Sequence, residues 1–303
     1  MGQAYKQIFG NIFMISVIIT AFKEPKTIGL AIETLASQKT PSKEILVVAP
    51  DKETLDEAGK LRKKYKNIRL IKDSGNGKSA ALNLAVSKSK GDILVLTDGD
   101  VHVSSDSINQ LLDKLHDKVG AVSGRPISTN SKNNKYGFWS YLLTEIAHER
   151  REKAITFNRN FFCSGYLFAI RKNLFPKLPE ELLSEDGYIS QVVYKSGFSI
   201  YYADKAEVYV KYPDNFSDWI KQKKRSAGGY TQIQKLTGIE MRSFKTESLG
   251  AAGFLKYVKG INDLIWLIEL FFARVYLWLV IYRDLNLKNK SRKELWERVE
   301  STK

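Results

Sequence analysis

Four short segments without polar alternation, each followed by a helical pattern, constrain this chain more than any other feature. "ISVIITA" (15–21), "EILVVA" (44–49), "IRLIK" (68–72) and "DILVLT" (92–97) are near-continuous apolar runs. A strand covered on one side alternates apolar with polar, whereas an unbroken apolar run is covered on both sides. Between them lie "TIGLAIETLASQ", a helical stretch from Asp51 to about Tyr65, and "SGNGKSAALNLAVSKSK", a glycine turn that opens a helix. Strands and helices in alternation predict an α/β fold: a mostly parallel, Rossmann-like sheet with helices on both faces. In such sheets ligands sit beyond the carboxyl ends of the strands.

The fourth strand ends unusually. Ile93 to Thr97 run straight into Asp98-Gly99-Asp100, and carboxylates at the end of a buried strand are costly unless something pairs with them. Asp and Gly are turn formers, which gives one account. The other is a cation: two carboxylates on a sharp turn offer hard oxygen ligands to Mg²⁺ or Mn²⁺ that also bridges a diphosphate. His102, two residues on, could add an imidazole, which Mn²⁺ tolerates. "GNGKSAALN" looks like the end of a P-loop, but the glycine required five residues before Gly77 is Lys72. What remains is Lys78 at a helix start behind a glycine turn, a good place for a phosphate or nucleotide.

Across 303 residues the net charge is +15, which favours anionic partners: phosphorylated substrates, anionic lipid or nucleic acid. No nucleic-acid-binding motif accompanies the charge, so no nucleic-acid partner is expected. Cys163 is the single cysteine, which excludes an intrachain disulfide and is expected to be a small buried side chain in a reducing compartment. Three histidines and that cysteine make a Cys/His zinc site untenable. The first residues carry no secretory pattern, and Lys6 stands where a myristoylation signal needs Ser or Thr. Tyr5, Ile8, Phe9, Ile12 and Phe13 form a helical stripe, expected to dock on the protein body.

Leu264 to Tyr282 is a 19-residue apolar run interrupted by Glu269 and Arg274. At about 1.5 Å per residue it is as long as the hydrocarbon layer is thick. Its apolar residues favour insertion by roughly 0.3–0.6 kcal/mol each, and the two charges cost roughly 2.5–3.5 kcal/mol each, so the sum is near zero. Spanning, in-plane and protein-packed placements all stay open. Arg283, Lys288, Lys290, Arg292 and Lys293 follow, a polybasic edge suited to an anionic cytoplasmic leaflet, and membrane association at that face is expected. The expected organisation is an amphipathic extension (1–13), a main domain (14–235) and a C-terminal helical region (236–303).

"SVIITAFKE", "GKSAALNLAVSKSKGDILVLTDGD", "SED" and "QKKR" occur in this order. That order resembles the family 2 glycosyltransferases of the GT-A fold over about residues 14–235. The resemblance implies that Asp98 and Asp100 bind the metal, with Gly99 between them against the nucleotide-sugar, and that Lys78 contacts the nucleotide. It places Ala21, Phe22 and Glu24 in the loop that embraces the base, and makes Asp186 the catalytic base. Gln222 and Arg225 match a Gln-x-x-Arg-Trp motif that contacts the diphosphate and the acceptor. "CSGYLFAIRK" matches the acceptor side, where Ser164 and Gly165 lie closest to the sugar beside Glu185. Lys221, Lys223 and Lys224 read as a solvated basic face.

Two departures matter. Relatives commonly end the second strand in an Asp pair, whereas this chain has Ala49-Pro50-Asp51, which puts base recognition by Asp51 and the identity of the nucleotide in question. Ser226 stands where the motif has Trp, and at most one membrane helix is present, so processive extrusion by this polypeptide alone is not expected. The implied activity is Mg²⁺- or Mn²⁺-dependent inverting transfer from a nucleotide-sugar, expected to be a UDP-sugar, to a hydroxyl of a lipid-linked glycan or polysaccharide. The alternatives are a polyprenyl-phosphate sugar transferase of the same fold and a non-catalytic basic membrane-binding relative.

Overall fold

The computed structural model describes residues 14–40, 42–180, 182–238, 251–284 and 297–302. The four apolar runs are strands β1 (Ile15–Thr20), β2 (Lys43–Ala49), β3 (Ile68–Lys72) and β4 (Ile93–Asp98). They pair in parallel in the order β3-β2-β1-β4. Between them run α1 (Ile28–Ala36), α2 (Lys52–Leu61) and α3 (Lys78–Lys88). The absence of alternation has a direct cause. Ile15, Val17 and Ile19 of β1 join one buried cluster with Ile28, Ile32 and Leu35 of α1, while Ile18 joins Leu82 and Ala85 of α3 in a cluster on the opposite face. Burying each such side chain is worth roughly 1.5–3 kcal/mol, so both faces hold the strand in register.

The sheet continues through β5 (Val101–Val103), β6 (Val119–Ser128), β7 (Leu167–Arg171) and β8 (Ser199–Val210), giving eight strands in the order β3-β2-β1-β4-β7-β6-β8-β5. β7 lies antiparallel between β4 and β6, and β5 antiparallel against β8. The first half is therefore purely parallel and the second mixed. Helices α4 (Ser107–Leu112) and α6 (Glu185–Lys195) cover this half.

A third apolar cluster lies off the sheet. The aromatic-rich segment forms α5 (Lys135–Thr156), and the basic segment forms α7 (Phe216–Thr237). The long apolar run is α8 (Ile261–Tyr282), preceded by a 3₁₀ turn at Ala251–Tyr257. Phe138, Trp139 and Leu142 of α5, Trp219 of α7 and Leu270, Ala273 and Leu277 of α8 pack together. The Trp139 indole donates to the Trp266 carbonyl at 2.7 Å, which satisfies its one polar atom inside the cluster. Half of α8 is thus a protein contact. Among the described residues nothing covers its other face, where Ile265, Ile268, Phe271, Phe272, Tyr276 and Leu279 are exposed.

Lys224 departs from the solvated-face reading. It is buried, with its ammonium 2.9 Å from Glu297 and 3.6 Å from the buried Asp284, because the chain after α8 returns to α7. Arg298 then donates to the Lys23 carbonyl at 2.8 Å, and the Ser301 N–H to Asp218 at 2.9 Å. The stripe at Tyr5–Phe13 and the basic residues Lys288, Lys290, Arg292 and Lys293 lie outside the described residues.

Candidate active site

The carboxyl ends of β1 and β4 and the starts of α3 and α6 open into one cavity of about 930 Å³. Strand pairing sets its floor: Thr20 lies opposite Asp98, and its hydroxyl donates to the Asp98 carboxylate at 3.3 Å. At Gly77, φ is +96°, a conformation that costs glycine nothing and lets α3 begin abruptly under the cavity. Lys78, the first residue of that helix, places its ammonium 2.6 Å from Asp98 and 2.7 Å from Glu185. Two elements far apart in sequence are thereby tied together by one cation.

The charge balance is uneven. Burial raises the Asp98 carboxyl; Lys78 pulls it down and Asp100 pushes it up, with the net direction upward. Glu185 is also raised by burial, but Lys78 outweighs that and holds it below the usual glutamate range. Lys78, between them, is held well above an ordinary lysine despite burial, by the charges of Asp98 and Glu185. Carboxylates this crowded favour further positive charge. Gly99 separates the two aspartates, where an added Cβ would stand 2.5 Å from the Glu24 carboxylate and 2.7 Å from the Ala21 methyl. Glycine lets the Asp98-Gly99-Asp100 turn and the first-strand loop approach this closely.

That loop is positioned from α2. The Lys23 N–H donates to Asp51 at 2.8 Å and the Glu24 N–H to the Thr54 hydroxyl at 2.8 Å. Lys23 takes φ of +55°, and Ala21, Phe22 and Glu24 line the cavity. Asp51 itself does not line it. It is the N-cap of α2, accepting from the Thr54 N–H at 3.0 Å. Burial works to raise its carboxyl, yet the hydrogen bonds from Thr54 and Lys23 hold it low. Its carboxylate shapes the loop through these bonds. Asp73, which the sequence reading passed over, does line the cavity, and burial raises its carboxyl. A signal was available: Asp73 directly follows β3, as Asp98 closes β4.

Asp186 is held by three donors. The Ser184 hydroxyl reaches it at 2.6 Å, the Gly187 N–H at 2.9 Å and the Gly165 N–H at 3.0 Å. Ser184 is the N-cap residue of α6, but its hydroxyl makes no cap bond and turns to the Asp186 carboxylate instead. Burial and then the neighbouring Glu185 raise Asp186 above an ordinary aspartate. Ser164, whose N–H donates to the Ser123 hydroxyl at 2.9 Å, and Gly165 line the cavity beside it.

Gln222 and Arg225 project into the same cavity from α7, and the Gln222 amide lies 3.5 Å from the Tyr166 hydroxyl. Burial keeps Tyr166 protonated, against the pull of Arg225. Tyr166 and Tyr212 meet edge to face with centroids 5.9 Å apart. Tyr166 lies in the "CSGYLFAIRK" segment expected on the acceptor side, which the pairing of β4 with β7 brings to the site, whereas Tyr212 carried no sequence signal. Cys163 is buried, its thiol pushed up to about 12 by that burial, and it acts as packing.

His102 falls elsewhere. On β5 its neighbours Val101 and Val103 face the core, and strand alternation turns His102 the other way. Its ring stacks on Tyr209 at 5.0 Å and does not line the cavity. Among the described residues no group of three or more His, Cys, Asp or Glu side chains forms a ready metal cage. A cation here would bind through Asp98 and Asp100, with its other positions left to ligand oxygens and water, as Mg²⁺ and Mn²⁺ sites on phosphates commonly are.

Comparison with known proteins agrees with this geometry. The model for glycosyl transferase family 2 matches residues 16–178. A beta-monoglucosyldiacylglycerol synthase from Nostoc sp. is 28% identical over 143 residues, covering 45% of this chain and 30% of that protein. An N-acetylglucosaminyltransferase from Bradyrhizobium diazoefficiens is 24% identical over 236 residues, covering 70% and 48%. The chain thus spans about half or less of these relatives' lengths. Among solved structures, a mannosyltransferase from Pyrobaculum calidifontis in complex with GDP-Man and Mn²⁺ superposes with a TM-score of 0.65 at 16% identity, covering 93% of this chain and 89% of that one. The strand order, the Asp-Gly-Asp turn at the end of β4 and the family match converge on one assignment: this chain is a glycosyltransferase of family 2 with the GT-A fold.

Proposed function

We propose that the chain transfers a sugar from a nucleotide-sugar, of the UDP class first, to a hydroxyl of a lipid-linked glycan or polysaccharide, with inversion, at the cytoplasmic face of a membrane. The observation that carries this reading is the convergence of Asp98, Asp100, Lys78, Arg225 and Asp186 on one cavity. The acceptor oxygen attacks the anomeric carbon from the side opposite the leaving group. As that C–O bond forms, the bond from the anomeric carbon to the diphosphate oxygen breaks, and the nucleoside diphosphate leaves with the electron pair. The hydroxyl proton passes to Asp186, whose carboxylate is aimed by Ser184, Gly187 and Gly165. Lys78 and Arg225 offset the charge that grows on the leaving group. Asp98 and Asp100 would hold Mg²⁺ or Mn²⁺, which when bound supplies Lewis-acid stabilisation of the diphosphate.

The bare face of α8 supports the membrane part. The helix has a mean hydropathy of 2.1 over its most apolar window, and 22% of that window is buried. Leu270, Ala273 and Leu277 hold it against α5 and α7, which themselves carry charged residues, so we read α8 as lying in the membrane plane with its aromatic face in lipid. Phe271→Ser with Phe272→Ser is expected to release the protein from anionic vesicles in a flotation assay while leaving thermal stability near that of the parent. Flotation unchanged by the pair would remove α8 from the membrane reading.

A donor screen tests the catalytic part. Full-length protein with Mn²⁺ or Mg²⁺ is offered UDP-, GDP- and dTDP-sugars and released nucleotide is measured. Metal-dependent release from one donor is the expected result. Metal-independent release would overturn the cation role of Asp98 and Asp100, and tight nucleotide binding without release once lipid acceptors are supplied favours the non-catalytic alternative.

A further inference from the structure

One part of the cavity wall takes no part in the transfer chemistry. Arg298, Val299 and Thr302 line it, and they belong to a short strap, residues 297–302, that contains neither helix nor strand. The strap is anchored twice on α7. The Glu297 carboxylate lies 2.9 Å from the buried Lys224 ammonium, beside Arg225, and the Ser301 N–H donates to Asp218 at 2.9 Å. The same ammonium stands 3.6 Å from Asp284, where the chain leaves α8. Between the two anchors Arg298 reaches the loop after β1 and donates to the Lys23 carbonyl at 2.8 Å. The strap therefore joins the loop that carries Phe22 and Glu24 to the helix that carries Gln222 and Arg225, and all four of these residues line the cavity.

Lys23 is where this contact matters. Among the described residues it is one of two non-glycine positions with positive φ, at +55°. Side chains with a Cβ adopt that backbone rarely, so the turn depends on what holds its polar groups. Its N–H is held by Asp51, the cap of α2, at 2.8 Å, and its carbonyl by Arg298. The strap's own hold is modest. Val299 is its one apolar side chain, and Glu297 and Glu300 are exposed. A segment kept in place by a few polar contacts and one valine opens locally, well before the sheet does. Protonation of the Asp218 anchor does not set that opening. Burial works to raise Asp218, but the Ser301 N–H and Lys221 hold it down to about 2.

We propose that the strap is a latch on the nucleotide loop, with Arg298 as its positioning residue. Docked, it fixes the Lys23 turn and bridges the cavity wall between that loop and α7; it lifts for the nucleoside diphosphate to leave. This rests on the transferase reading, whose donor nucleotide is the ligand retained. Occupancy and docking are then linked. A nucleotide seated against the loop and the strap binds the docked form better and shifts the strap towards it, and a loosened strap lets the nucleotide go sooner.

Hydrogen exchange is followed in the detergent-solubilised whole chain, in the parent, Arg298→Ala and Arg298→Lys. It is measured first without ligand, then with Mn²⁺ and UDP, GDP or dTDP in turn. Without ligand, Arg298→Ala is expected to speed exchange at Lys23 and Glu24 and across 297–302 by about three- to tenfold, the scale of one lost hydrogen bond, and to leave β1 and β4 unchanged. Arg298→Lys, which can still donate to the Lys23 carbonyl, keeps most of the protection. With a nucleotide that binds, both segments slow together in the parent, and the Ala variant releases that nucleotide faster by a similar factor. Faster exchange confined to the strap, or spread equally through β1 and β4, overturns the positioning role. A nucleotide that binds the parent and leaves exchange across 297–302 unchanged overturns the latch, and that reading needs no variant. If the parent binds none of the three, the transferase reading falls and the nucleotide part of the latch with it, whereas the hold on Lys23 is decided by the ligand-free exchange alone.

Discussion

Asp186→Asn is expected to reduce sugar transfer by about 10²–10⁴-fold, the range that a positioned general base supplies. The substitution keeps the shape and two of the three hydrogen bonds: an amide oxygen at the Oδ1 position still accepts from the Ser184 hydroxyl and the Gly187 N–H, while the bond from the Gly165 N–H is lost. Nucleotide affinity should therefore change little, and the loss should appear in kcat. The pH profile follows from the same residue. The base works only when ionised, and burial together with Glu185 raises its protonation point above that of an ordinary aspartate. Activity of the parent enzyme should thus fall on acidification at a pH above the ordinary aspartate range, and the Asn variant should lose that acid limb. A fall in nucleotide affinity equal to the fall in rate would make Asp186 a scaffold and not a base.

Asp100→Ala is expected to have an effect of similar size through a different step. Removing one of two oxygen ligands should weaken metal-dependent nucleotide binding and cut release by about 10²–10³-fold, the scale of losing one charge-stabilising group. Asp98→Ala should be worse. It removes a metal ligand and also the partner 2.6 Å from Lys78, leaving that lysine with Glu185 alone. His102→Ala should leave metal dependence unchanged, because its ring is stacked on Tyr209.

The half of the fold from Ile15 to Asp98 was readable because β1, β2 and β4 are buried on both faces, so composition announces them. The second half was harder. β6 and β8 have bulged pairing, and β7 is antiparallel within a mixed region, so no simple repeat marks them. Of the site, Asp98, Asp100, Lys78 and Asp186 sit in contiguous or well-spaced motifs, and the structure brings them together. Asp51 and His102 stand beside real motifs, but strand alternation and helix capping turn them to other work. Arg274 reaches the cavity through the packing of α8 on α5 and α7, distant segments whose approach one sequence does not display. The closure of the rim by Arg298 on Lys23 belongs to the same class, with 275 residues between the partners.

The most direct test of the central claim is Mn²⁺ uptake followed by electron paramagnetic resonance, with and without UDP, in the parent protein and in Asp100→Ala. If Asp98 and Asp100 hold a cation shared with the diphosphate, the free-Mn²⁺ signal should drop sharply only when UDP is present, and the variant should abolish the drop. Uptake that is independent of nucleotide, or a drop of the same size in the variant, would contradict it.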